Sequence, residues 1–149
     1  MKQTEQVAEI EISYRPAIGR KPTIISSLDA FTEVIDFFPI ETIAVQEKFM
    51  VMYLNRANKL LGVYPISTGG MAATVVDIRL ILSVALKTAA TSVILCHNHP
   101  SGTLKPSSMD IELTKKIVAA CKFLDIRVFD HIIITPERTY YSFADEGIL

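Results

Sequence analysis

His97-Asn98-His99-Pro100-Ser101-Gly102, followed by Ser107 and Asp110, is the stretch around which the chain is read. The run before it, Thr91-Ser92-Val93-Ile94-Leu95-Cys96, is apolar and partly β-branched, the pattern of a buried strand. Alternate side chains of a strand share a face, so His97 and His99 point one way and Cys96 and Asn98 the other. Pro100 and Gly102 end the strand and turn the chain. Ser107-Ser108-Met109-Asp110 opens the next helix, whose first turn can come back over the strand end. Two imidazoles and one carboxylate converging, with a position left for water, are the ligand set of a catalytic zinc site. Cys96, turned to the other face, reads as core.

Plainer explanations compete with this one. Histidines at a strand end serve as polar termini bonded to loop backbone, and Ser107 with Asp110 is also a helix N-terminal signature, Ser as cap and Asp favoured by the first-turn dipole. Capping accounts for that pair by itself. It does not account for two histidines aimed at the same place. A hydrolytic zinc site also needs a base beside the metal to move the water's proton to the leaving group. Glu47, in an apolar segment running on into Phe49-Met50-Val51-Met52-Tyr53-Leu54, competes with Glu41 and Glu33, and spacing does not choose among them.

Outward from the centre, elements alternate. Val7 to Tyr14 alternates apolar and polar, as a half-buried strand ending at Pro16 does. Ser26 and Ser27 cap a helix with Leu28, Phe31, Ile35 and Phe38 on one face, closed by Pro39. Thr42 to Asn55 reads as a strand carrying Glu47, Arg56 to Lys59 as a turn, and Leu60 to Ile66 as the returning strand. After a Ser67-Thr68-Gly69-Gly70 link, Thr74 caps a helix with Asp77 three positions on. Asp110 to Leu124 is amphipathic, with Leu113, Ile117, Ala120 and Leu124 facing inward. Ile126 to Thr135 is a strand interrupted by Asp130-His131, and Thr139 to Phe143 is the last. The fold class is α/β, a mixed sheet covered by helices, in one domain over residues 1–149 with a strand–helix extension at 1–40.

Composition sets the bounds. The chain has 149 residues, half of them hydrophobic, enough for one well-buried core without staples. Its net charge of −1 advertises no broad field for nucleic acid or anionic membrane. Cys96 and Cys121 lack Cys-x-x-Cys spacing, no secretory signal is visible, and no apolar run approaches a membrane span. A reduced, cytoplasmic setting is the expectation.

The quoted residues carry a resemblance. His97-x-His99, Ser107 and Asp110, with the upstream Glu47, resemble the JAMM motif of the JAB/MPN metalloprotease superfamily. More narrowly, His97 to Gly102, Pro106-Ser107, Asp110, Thr114 and Asp130-His131-Ile132-Ile133 resemble the RadC family, over about residues 41–149. The resemblance implies a cytidine deaminase-like α/β/α sandwich and one Zn2+ per chain held by His97, His99 and Asp110. It also implies Glu47 as acid–base residue and Ser107 as oxyanion donor. A peptide or isopeptide is the expected substrate, and DNA association in repair or recombination is the second expectation. Nothing here resembles the helix-hairpin-helix-like region common ahead of this domain. His131 reads as a support behind the ligands, a substrate contact or a plain part-buried histidine; Arg79 is a candidate substrate contact, and Lys105, Lys115 and Lys116 a candidate basic patch.

Overall fold

A computed structural model describes residues 6–69 and 75–149. Elements follow in the order α1 (Ser27–Val34), a 3-10 turn (Ile35–Phe37), α2 (Ile40–Ile43), β1 (Lys48–Leu54), β2 (Leu60–Thr68), α3 (Ile78–Thr88), β3 (Ser92–Asn98), α4 (Ser108–Phe123), β4 (Arg127–Ile134) and β5 (Tyr140–Ser142). Among the described residues five strands form one sheet in the order β2-β1-β3-β4-β5. Only β3 and β4 run parallel, joined through α4, and the other neighbours are antiparallel. The β1–β2 hairpin closes where the Asn55 side chain accepts from Ala57 N and Lys59 N while Asn58 takes a left-handed φ of 57°.

Period-two burial splits the sheet into two faces. On one, Met50, Met52, Leu54, Ile94, Cys96, Ile132 and Ile134 pack against Ala30, Val34, Phe38 and Ile43. On the other, Phe49, Val51, Tyr53, Val93 and Leu95 pack against Ile81 and Ala85 of α3 and Ile117 and Cys121 of α4. Helices therefore cover both faces, and the α/β/α architecture expected from the sequence is the one observed. Among the described residues no helix is long and apolar enough to cross a membrane.

Several boundaries differ from the expectation. Val7 to Tyr14 forms no strand: Val7, Ile10 and Ile12 are exposed, and Tyr14 alone reaches the sheet, donating to Leu61 O at 2.9 Å. Alternation describes a surface that fits a strand, but a strand also needs a neighbour to bond. Residues 42–47 are not strand either, since α2 and a following turn occupy them and β1 begins at Lys48. α3 is capped by Asp77, whose side chain accepts from Arg79 N, and Thr74 lies outside the described residues. On α4 the inward line is Thr114, Ile117 and Cys121, while Leu124 caps the helix and is exposed.

A further departure bears on the site. Val93 pairs with Val128 but Ile94 with Asp130, so β4 carries a bulge at Phe129. Val128 packs on the α3/α4 side, whereas Ile132 and Ile134 pack on the α1/α2 side. The extra residue shifts the parity of β4, bringing His131 level with Leu95 on the α3/α4 face.

Candidate metal centre

The end of β3 and the first turn of α4 meet in a cleft of ≈ 940 Å³ lined by Glu47, His97, His99, Ser107, Asp110 and apolar walls that include Val76, Met109 and Leu113. His97 is held flat against Phe49, its register partner on β1, with ring centroids 5.8 Å apart and planes 9° from parallel. His97 Nε2 and His99 Nε2 stand 3.0 Å apart. Asp110 closes the triangle, with Oδ2 3.1 Å from His99 Nε2 and Oδ1 3.3 Å from His97 Nε2. A tetrahedral zinc with nitrogen and oxygen ligands has edges of about 3.3 Å. The three donors are spaced as the edges of one coordination sphere.

Partner chemistry assigns the protons. Thr103 O can only accept, so His99 Nδ1, 2.6 Å away, donates to it and leaves Nε2 with a lone pair in the neutral ring. The Thr114 hydroxyl donates to Asp110 O at 2.6 Å, so it accepts from His131 Nδ1 at 2.6 Å. Burial, reinforced by the neighbouring His97, pushes the His131 imidazole well below its ordinary pKa and keeps it neutral. Its Nε2 therefore accepts from His97 Nδ1 at 2.7 Å, and His97 Nε2 faces the cleft as a lone pair. With both rings neutral, two imidazole lone pairs and a carboxylate face one another, and either a proton on an Nε2 or a metal cation satisfies them.

The acid–base balance expresses the same demand. Burial raises the Asp110 carboxyl, but hydrogen bonds from His97 and His99 outweigh it and hold the group well below the usual carboxylate range. Burial lowers His99, yet its bonds to Asp110 and Thr103 win and its pKa lies above the ordinary value. Two imidazoles and one carboxylate fit a zinc-class divalent cation.

Glu47 sits one residue ahead of β1, its carbonyl accepting from Gly69 N at 2.8 Å. A carboxylate oxygen of Glu47 and the ring nitrogens of His97 and His99 lie within 4.8 Å of one another, without direct ion-pair contact between Glu47 and either ring. Glu47, His97 and His99 are themselves spaced closely enough to hold a metal ion together. Glu33 and Glu41, on α1 and α2, do not line the cleft. Ser107 caps α4 in a capping box: Oγ accepts from Asp110 N at 3.1 Å, and Ser107 N donates to Asp110 Oδ2 at 2.8 Å. Its hydroxyl proton has no acceptor among the described residues and is free for a ligand. The same two residues cap α4 and line the cleft.

Two candidates do not reach the cleft. Arg79, with a side chain 95% exposed, pairs with Asp77 at 3.8 Å and lines no part of it. His131 is 0% exposed, behind His97 and stacked on Phe143 at 4.6 Å, so it is out of a substrate's reach and instead orients His97. Lys105 and Lys116 line the cleft, while Lys115 pairs with Glu112 at 3.5 Å. Gly69 holds Glu47, and Gly70 lies outside the described residues. Thr114 belongs to the family resemblance, but sequence reasoning gave neither it nor Phe49 a role. A polar residue on the inward line of an amphipathic helix was the available signal for Thr114.

The family described as RadC-like JAB domain matches residues 26–148. A UPF0758 protein of Flavobacterium johnsoniae is 46% identical over 145 residues, covering 95% of this chain and 62% of its own length. One from Porphyromonas gingivalis is 38% identical over 143 residues, covering 96% of this chain and 63% of its own length. The UPF0758 protein YfjY of Escherichia coli is 42% identical over 104 residues, 70% of this chain and 64% of its own length. The chain thus spans a little under two thirds of these relatives, whose names state no activity. By the match over residues 26–148 and by these relatives, the chain belongs to the RadC-like JAB domain family.

Proposed function

We propose that this chain is a zinc-dependent hydrolase of the JAMM type that opens an amide or isopeptide bond in a peptide substrate. The observation behind it is the meeting of three lone-pair donors at 3.0–3.3 Å, with Glu47 standing off from them across the cleft. His97, His99 and Asp110 would hold a zinc-class cation, which would supply Lewis acidity, lowering the pKa of a water to about 7 and polarising a carbonyl. Glu47 accepts the proton of the attacking water at its carboxylate and delivers it to the leaving amine nitrogen as the carbon–nitrogen bond breaks. The Ser107 hydroxyl donates to the oxyanion that develops on the carbonyl oxygen. Val76, Met109 and Leu113 give the cleft apolar walls on which substrate side chains displace water.

Elemental analysis of protein purified without chelator tests the metal: one zinc per chain is expected, lost in His99→Ala. Glu47→Gln is expected to keep the zinc and lower turnover of peptides from a library screen by roughly 10²–10⁴-fold. Equal activity in that variant removes Glu47 from the mechanism. A second reading, DNA association in repair or recombination, has one observation in its favour: Lys105 and Lys116 line the cleft with no carboxylate partner among the described residues. A salt-sensitive gel shift with bare DNA and no zinc in the purified protein would favour it. The chain's net charge of −1 weighs against it.

A further inference from the structure

We infer that Asn98, the residue between the two histidines, is the positioning residue for Glu47 and acts on it from the opposite face of the sheet. The inference rests on the reading of Glu47 as the acid–base group. Strand alternation sends His97 and His99 to the α3/α4 side and Asn98 to the α1/α2 side, where its side chain is 0% exposed. Every hydrogen-bonding direction it uses there ends on the segment that carries Glu47. Oδ1 accepts from Lys48 N at 2.7 Å, and Nδ2 donates to Ile43 O at 2.8 Å and Gln46 O at 2.9 Å. The residues on either side of Glu47 are therefore tied to one amide group, and Gly69 N holds the carbonyl of Glu47 itself.

No other common side chain meets these demands at this volume. Two carbonyls on one side and an N–H on the other call for two donors and an acceptor in a fixed plane, which is the inventory of an amide. Aspartate keeps the acceptor but sets a carboxylate oxygen against the carbonyls of Ile43 and Gln46. Residues 44–47 lie outside strand and helix, with turn bonds from Val45 N and Gln46 N to Thr42 O and the bond from Gly69 N. Beside these, this amide is what ties them to the strand that carries the histidines. A base must sit within hydrogen-bond reach of its proton, and displacement by an ångström costs much of its effect. The middle residue of His-x-His is thus the link that ties ligands and base to one strand end.

Amide hydrogen exchange on the full chain without metal tests the anchoring. Asn98→Ala is expected to speed exchange of the Lys48 amide at least tenfold while amides in the middle of β3 and β4 keep their protection. A folded variant with wild-type exchange across residues 44–48 overturns the proposal. Should Asn98→Ala fail to fold, Asn98→Ser, which keeps more volume, takes its place. Zinc affinity by chelator competition then separates positioning from general support. In a Glu47→Gln background Asn98→Ala is expected to leave the affinity unchanged, because the group it positions is already neutral. A loss of more than threefold there shows that Asn98 acts on the ligands or the fold instead, and overturns the assignment. A wild-type chain that holds no zinc defeats the hydrolase reading, and the exchange result still decides whether Asn98 anchors the segment.

Discussion

His97 has two ring nitrogens in different surroundings, and the inner one decides what the outer one can do. The chain Asp110 O, Thr114 hydroxyl, His131, His97 runs through buried groups and joins two of the three proposed ligands from behind. Thr114→Val keeps the shape and removes the hydroxyl, leaving His131 Nδ1–H without an acceptor in a buried position. That is expected to cost about 1–3 kcal/mol of stability in urea unfolding. If the proton moves to His131 Nε2 instead, it meets His97 Nδ1–H, and the His97 lone pair turns from the cleft. Zinc affinity in chelator competition is then expected to fall roughly 10–100-fold. A stable variant with full affinity would show that the relay does not set the tautomer. His97, His99 and Asp110 were legible because a strand period and a capping position are local rules. Thr114 entered with the resemblance, but its role was not legible, because its partner on β4 lies 17 residues away and only the folded sheet brings them together. Glu47 needed the resemblance to separate it from Glu33 and Glu41, since nothing local marks the residue before a strand as facing a site.

Helix caps and one bulge do most of the aiming. Ser107 holds the first turn of α4 and thereby the rotamer of Asp110, so Ser107→Ala is expected to cost about 1 kcal/mol of thermal stability. The same change removes the free hydroxyl and is expected to lower kcat roughly 10²–10³-fold, against little change for Ser107→Thr, in turnover assays on a screened peptide. On the same face of the sheet, α3 stops at Ala89 in the left-handed region, with φ 54°. An L side chain there is strained by roughly 1–2 kcal/mol, part of which glycine regains after its larger unfolded entropy is counted. Ala89→Gly is expected to raise the melting temperature by a few degrees, and a fall would mean that the Ala89 methyl packs more than it strains. The order of strands and helices was legible from periodicity, and failed where an element depends on a distant neighbour. Val7 to Tyr14 has the alternation but no partner strand. The β4 pattern gives no warning of the bulge that puts His131 on the face of His97, because Val128, Phe129 and Ile132 suit either face of a buried sheet.

A cation at the proposed centre would join β3 to α4, linking the middle of the sheet with the crossover helix, so metal binding and folding are coupled across the molecule. A ligand that binds the folded chain at a hundred times its Kd stabilises by about 2.7 kcal/mol. For a domain of this size that is a rise of roughly 5–10 °C in melting temperature on adding zinc. The rise should be reversed by chelator and missing in His99→Ala. Its pH dependence follows from the two shifted groups. Without metal, protonated His99 pairs with ionised Asp110. Because the His99 pKa is raised above 6.5, that stabilisation is full below 6.5 and is lost as pH rises through the higher folded value. The Asp110 share, from a depressed pKa, is present above the ordinary carboxylate value and lost as pH falls through the folded one. Zinc competes with the proton on His99, so its stabilising increment runs the opposite way, largest above the raised His99 pKa and shrinking as pH falls through it. Melting curves with and without zinc should therefore converge from pH 8 toward pH 5. A zinc increment that holds constant over that range, or grows toward acid, would place the ion on groups other than His97, His99 and Asp110.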